Sequence, residues 1–358
     1  MINTDSFSKE WIESFRKQKE YAKISPGHLE KMVHALSLIE WLVLEGFDFV
    51  FKGGTCLILL LEEASRFSID VDIITSISRE QLEKHLDNII EESHFTKWEL
   101  DKERSFKNKF PKAHYYLSFE SKYTSEASYI LLDVVFDISP YTETKKVKIQ
   151  SKWIKTGEPI IEVKAPTIDA ILGDKLTAFA PNTIGIPYQK GKDIEIVKQL
   201  FDVYHLMDYS VNSDDVSKNF ESVADKQIAY QEKKIKNQDA LKDTINTSLI
   251  LAKRDKNTGD NKAKFDEIQG GLKKFKNQLM TGNFNIEQAQ VAAARAAYIS
   301  NKLINKDYSK IEKYSKDTVL DNFIIENPDL GFLQRFKKTN PEAFFYWYNC
   351  LKVGNIAD

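Results

Sequence analysis

Apolar side chains recur at helical spacing from Asp5 to about Glu45. Within that stretch, "SPGHLEKMVHALSLIEWLVLEG" offers Ser25 as an N-cap, Pro26 at the first helical position and Gly46 as a stop, and so predicts a helix. The period then changes. "FDFVFKGG" alternates and halts on two glycines, as a short strand does on entering a tight turn. "TCLILLLEEA" reads as a buried helix, and "FSIDVDIIT" alternates apolar and acidic residues like a strand with one face in the core. Residues 79–93 form an amphipathic helical pattern, followed by three strand-like runs, "FTKWEL", "HYYLSFE" and "SYILLDVVFDI". "KKVKIQ" and "PIIEVKAP" read as later strands of the same sheet or of its margin. The pattern implies a mixed sheet with helices on one side.

Helical patterns take over near Ala165 to Thr167. "TIDAILGDKLTAFAP" and "KDIEIVKQLFDVYHLMDY" are helices separated by the loop "NTIGIPYQKGK". The expected organisation is an α+β core over residues 1–165, with a helical N-terminal leader, and a mostly α-helical domain over residues 166–358. A chain of 358 residues with 42% hydrophobic side chains has material for two such domains. The formal net charge of -2 excludes an overall basic field, so any nucleic-acid contact must come from a local patch. Tyr230 to Met280 is such a stretch, with 12 basic and 7 acidic side chains and a net of +5. A solvated helix face is the expected reading, with a weak nucleic-acid surface as the alternative.

Cys56 and Cys350 have no metal-knuckle or disulfide spacing, which suits a reducing cytosol. With no apolar run of membrane-spanning length, a soluble, cytoplasmic protein with no membrane partner is expected.

The chemistry concentrates between Phe51 and Thr75. Asp70 and Asp72 lie two apart, so both carboxylates project from one strand face while Ile69, Val71 and Ile73 project into the core. Adjacent carboxylates repel unless a cation sits between them, and oxygen ligands of this kind suit Mg²⁺. Gly53 and Gly54 permit a close backbone approach, and the turn leads into a helix beginning near Thr55, whose N-terminus favours phosphate and whose first hydroxyl can add to it. A third carboxylate is available in "YILLDVVFDI" from Asp133 or Asp137. Asp133 is preferred because it sits mid-strand among apolar residues, where an unpaired acid would be costly. A phosphate-holding turn beside metal-holding carboxylates is the equipment of phosphoryl or nucleotidyl transfer.

Gly-Gly, helix, Asp-x-Asp and a distant strand acid resemble the DNA polymerase β-like nucleotidyltransferases. "GGTCL" followed by "RFSIDVD" more closely resembles the AbiEii/AbiGii toxin family, and matched segments extend from about Lys52 to Leu206. The resemblance implies an Mg²⁺-dependent enzyme, with two ions expected, that transfers NMP from an NTP to an RNA or protein hydroxyl. The leading acceptor is a tRNA 3′ end. It further implies growth arrest in a type IV toxin-antitoxin or abortive-infection system, opposed by a winged-helix antitoxin. It assigns Asp70, Asp72 and Asp133 to metal and catalysis, and Gly53, Gly54, Thr55, Arg66 and Ser68 to nucleotide binding. "ILGDKLTAFA" places an active-site lysine at Lys175, a phosphate-binding or catalytic cation, and "KQLFDVYHL" places a late acid at Asp202, with Asp193 a rival.

There are departures. Leu59 stands where many relatives carry a phosphate-contacting lysine or arginine, a contact either missing here or supplied by Lys52, Lys175 or Lys192, and Lys198-Gln199 replaces Arg-Asp. These departures motivate an alternative: a weakly catalytic, NTP-binding regulatory or partner-binding protein of the same fold. Transfer of the terminal phosphate, as in kinases, is a third possibility. The six histidines show no metal spacing, His205 reads as a packing residue, and the aromatic stripe "EAFFYWYNCL" reads as core.

Overall fold

The computed structural model describes residues 1–61, 65–105 and 110–356. The chain divides into two compact units. One comprises residues 1–139, 143–167 and 278–282, the other residues 140–142, 168–277 and 283–358.

The first unit is α+β. Its elements are α1 (Lys9–Arg16), α2 (Pro26–Leu44), β1 (Val50–Lys52), α3 (Gly53–Leu60), β2 (Val71–Thr75), α4 (Arg79–Glu92), β3 (Phe95–Leu100), α5 (Lys102–Ser105), β4 (Lys112–Phe119), β5 (Ser128–Phe136), β6 (Thr144–Lys148) and β7 (Glu162–Pro166). Ser25 and Pro26 open α2, and Gly46, at φ +78°, follows its end. Ser78 and Gln81 close a reciprocal capping box on α4, satisfying donors that a helix start otherwise leaves open. The strand order is β1-β2-β5-β4-β3, with only β2 and β5 parallel. β6 and β7 pair with each other in a separate two-stranded sheet, so of the two placements expected for them the one within the main sheet is not observed.

The period-2 pattern divides the main sheet's two faces. Phe51, Val71, Ile73, Leu132, Val134, Ala113, Tyr115, Leu117 and Phe119 are buried. This face meets α2 and α4: Phe119 stacks on His34 of α2 at 3.6 Å between ring centroids, and the Tyr115 hydroxyl donates to Glu83 Oε1 of α4 at 3.1 Å. Polar residues of the same strands point to the opposite face.

The second unit is all helix: α6 (Ile168–Ala178), α7 (Asp193–Tyr209), α8 (Ser213–Tyr230), α9 (Asn237–Lys253), α10 (Gly259–Phe275), α11 (Ile286–Ile304), α12 (Phe336–Thr339) and α13 (Pro341–Val353), with short 3₁₀ turns. Its core includes the aromatic run of α13, where Phe344, Phe345, Tyr346 and Trp347 are buried, as expected of a packing stripe. His205 lies against Phe201 and Tyr204. Cys56 and Cys350 are buried and neither is in a disulfide. Among the described residues, no helix is long and apolar enough to cross a membrane.

Candidate active site

Register assembles the site. Lys52 pairs with Asp72 across β1 and β2, Asp72 with Asp133 across β2 and β5, and Asp133 with His114 across β5 and β4. Residues paired across neighbouring strands share a face, so Lys52, Asp72, Asp133 and His114 form one row over four strands, on the side away from α2 and α4. Asp72 and Asp133, two like charges at adjacent register positions, stand between a lysine and a histidine. Such a pair is unfavourable unless positive charge or hydrogen bonding offsets it. His114 supplies part of that: it is buried, and its Nδ1 lies 2.5 Å from Asp133 Oδ1. Its backbone N–H donates to Ser105 Oγ at 2.9 Å, which ties α5 to this end of the row. Asp137 follows the end of β5 and lies outside the row.

The Gly-Gly turn packs directly on these carboxylates. Gly53 has φ +77°, and a Cβ there would lie 2.0 Å from Asp72 Oδ2 and 2.9 Å from Asp72 Cβ. A Cβ on Gly54 would lie 2.6 Å from both Arg66 Nη2 and Ser68 Oγ. Only hydrogen fits at either position. α3 starts at Gly53 itself, two residues before the expected start near Thr55, and its N-cap, Lys52, makes no side-chain capping bond. The helix expected to run on to Ala64 is observed as far as Leu60; residues 62–64 lie outside the described residues.

Thr55 turns inward. Its buried hydroxyl donates to the Asp70 carbonyl at 2.5 Å and lies 3.0 Å from Ser68 Oγ. It therefore fastens α3 to the segment before β2 instead of standing open to a phosphate. Asp70 is one residue ahead of β2, which begins at Val71. Arg66 is buried and donates from Nη1 to the Phe67 carbonyl at 2.9 Å. The backbone around it is held by a distant segment: Arg66 bridges Leu279, Phe67 N–H donates to the Gln278 carbonyl at 2.8 Å, and Met280 N–H donates to the Ser65 carbonyl at 2.9 Å.

In the helical unit, Lys175 Nζ lies 2.8 Å from Asp202 Oδ2 and 3.1 Å from Gln199 Oε1, and both charged side chains are buried. Asp193 pairs instead with Lys274 at 2.7 Å. Asp202, not Asp193, is thus the acid beside Lys175.

His114 was not among the expected site residues. As the first polar position of "HYYLSFE" it reads as one more solvent-facing residue of an alternating strand, and only the β4–β5 register places it on Asp133.

The family model for the nucleotidyl transferase AbiEii toxin of type IV toxin-antitoxin systems matches residues 38–296. Among solved structures, the fold is similar to JHP933 from Helicobacter pylori, at 15% identity and TM-score 0.44, over 79% of this chain and 96% of that one. A second H. pylori crystal structure is similar at 16% identity and TM-score 0.45, over 81% and 99%. An antigenic nucleotidyltransferase-like protein from Paracoccidioides brasiliensis is similar at 13% identity and TM-score 0.37, over 60% and 96%. A search of curated proteins finds no match.

Proposed function

The chain belongs to the AbiEii family of nucleotidyl transferase toxins, and from that premise we propose that it transfers NMP from an NTP to a hydroxyl of an acceptor RNA, with a tRNA 3′ end as the leading candidate and a protein hydroxyl as the other. The observation that carries this reading is the Asp72–Asp133 pair in adjacent register, with the Gly53 backbone pressed against Asp72.

The donor set fits Mg²⁺, which is commonly held by one or two carboxylates together with substrate phosphates. Among the described residues no group of three or more His, Cys, Asp or Glu side chains is gathered as a metal cage, so the triphosphate would complete the coordination. Asp70, Asp72 and Asp133 are the residues that would hold the ions, two by analogy with the family, and the ions would neutralise charge on the transferring phosphoryl group.

In the transfer, the acceptor hydroxyl oxygen bonds to the α-phosphorus, the bond from that phosphorus to the β-bridging oxygen breaks, and pyrophosphate leaves. The hydroxyl proton must go to a base. Asp133 would serve as that base, its carboxylate directed by His114, whose Nδ1 lies 2.5 Å from Oδ1. The first N–H groups of α3, which begins at Gly53 against Asp72, would serve as donors to a phosphate. In the cell this activity would arrest growth, with an antitoxin as the opposing partner.

The test is incubation with Mg²⁺, each α-labelled NTP in turn and total bacterial RNA, beside an Asp72→Asn variant. Label on an RNA band, lost in the variant, is expected and would identify base and acceptor. NTP binding without label on RNA or protein would favour the regulatory alternative.

A further inference from the structure

The helical unit contains a cavity of about 530 Å³ lined by residues of α9, α10 and the α6–α7 loop. None of the candidate active-site residues lines it. Its volume lies within the range of roughly 300–1,000 Å³ typical of small-molecule sites.

Three features define what it would accept. Lys242 and Lys253 line it, and among the described residues neither has a carboxylate partner, whereas Lys264 is paired with Asp260 at 2.6 Å. The lining acids are already engaged. Asp243 is buried and accepts from Asn182 N, Asn182 Nδ2, Thr183 N and Thr183 Oγ1 at 2.6–2.9 Å, while Asp239 accepts from the Lys236 N–H at 2.8 Å. The cavity therefore offers two cations without a matching anion.

The third feature is an acceptor without a donor. Asn257 is 6% exposed and its Oδ1 has no hydrogen-bond partner among the described residues. Both donors of its amide nitrogen are spent, on the Ile250 and Arg254 carbonyls at 2.8 and 2.7 Å, so exchanging oxygen and nitrogen would set two acceptors against each other. A buried polar atom left in this state is costly. A hydroxyl or amine donor that reaches it through a small shift of its surroundings would satisfy it. Lys253 also lines an adjoining cavity of about 400 Å³ with Arg254, Asp255, Lys256, Glu287 and Arg335, where Arg254 pairs with Glu287 at 3.4 Å.

We propose that this cavity takes a nucleotide unit of the acceptor RNA, its phosphates on Lys242 and Lys253 and a ribose hydroxyl or base amine toward Asn257. The assignment rests on the reading of the protein as an RNA-directed transferase and adds a docking site outside the reaction centre. It also locates the +5 segment's function in two particular lysines. RNA is favoured over a protein partner because phosphate charge and hydroxyl donors recur together along its backbone.

The test is fluorescence anisotropy of a short labelled single-stranded RNA, and of DNA of the same sequence, on the full chain without NTP. Lys242→Ala/Lys253→Ala is compared with Lys273→Ala/Lys276→Ala, which removes the same charge from the same segment but from residues that line neither cavity. The cavity variant should bind RNA about tenfold more weakly near physiological salt and lower the slope of log K against log[salt] by about 1.4, at ~0.7 per phosphate contact. The control should change little, and RNA should bind more tightly than DNA.

Equal losses in both variants, or none in either, would overturn the assignment in favour of a solvated basic face. Equal affinity for DNA would overturn the choice of RNA. Transfer of α-label to a protein acceptor without RNA binding would overturn the docking site and leave nucleotidyl transfer standing. Unchanged melting temperatures would establish that both variants fold.

Discussion

Gly53→Ala separates the chemistry of the site from the stability of the fold. The added methyl has two consequences. A non-glycine residue at φ +77° costs about 1–2 kcal/mol of backbone strain. Its Cβ would also lie 2.0 Å from Asp72 Oδ2, so the carboxylate must retreat by about 1.4 Å to reach ordinary contact. Rotation of the Asp72 side chain alone does not relieve this, because Asp72 Cβ, fixed to β2, is itself only 2.9 Å away.

Gly46 is the control. It has φ +78° and nothing within 4 Å of an added Cβ, so Gly46→Ala carries the strain without the collision. At roughly 2–4 °C per kcal/mol for a unit of this size, Gly46→Ala should melt roughly 2–8 °C lower, and Gly53→Ala lower still because the collision adds to the strain. A misplacement of about 1 Å in a reacting constellation costs about 10²-fold in rate, or ~2.7 kcal/mol of barrier. Incorporation of α-labelled nucleotide at saturating NTP should therefore fall at least about 10²-fold in Gly53→Ala and stay near wild type in Gly46→Ala. Equal activities in the two folded variants would refute the placement of the Gly53 backbone against a working Asp72.

Other perturbations have equally definite outcomes. His114→Gln removes the ring that holds Asp133 and should lower activity by about 10–100-fold while raising the Mg²⁺ concentration needed for half-activation, read from a metal titration. Lys175→Met removes the cation beside the buried Asp202 and should cost about 3–5 kcal/mol in urea unfolding, part of which Lys175→Met/Asp202→Leu should recover. His34 Nδ1 lies 2.7 Å from His94 Nε2, and burial lowers both pKa values, that of His94 to about 4. The unfolded chain, with both near 6.5, then binds more protons below that pH, so stability is lost as pH falls from about 6.5 toward 4 and is unaffected above it. Melting temperature should drop between about pH 7 and pH 5, and His34→Phe, a ring beside Phe7 and Phe119, should flatten that decline.

Local elements were legible because their periods are local. The run "FTKWEL" coincides with β3, and Ser25, Pro26 and Gly46 bound α2 as their chemistry suggests. What depends on pairing was not legible. "KKVKIQ" and "PIIEVKAP" alternate like any strand, and nothing local says that they pair with each other and not with the main sheet. The adjacency of Asp72 and Asp133 is likewise a fact of register across 61 positions of chain. Lys175 looks like a solvent-facing residue until α7 packs beside α6 and brings Asp202 to it, and the support of Arg66 by Gln278 and Leu279 joins segments that no window of sequence connects. Thr55 could be placed near a phosphate by motif, but its inward hydroxyl bond to the Asp70 carbonyl required the fold.

The most direct test of nucleotidyl transfer at the carboxylate row is a paired labelling experiment, in which wild type and Asp70→Asn/Asp72→Asn receive the same NTP labelled at either the α or the γ phosphate. The expected result is α-label on the acceptor and γ-label in released pyrophosphate, both abolished in the variant. Label from the γ position on the acceptor, or undiminished transfer by a folded variant, would contradict the assignment of these residues to nucleotidyl transfer.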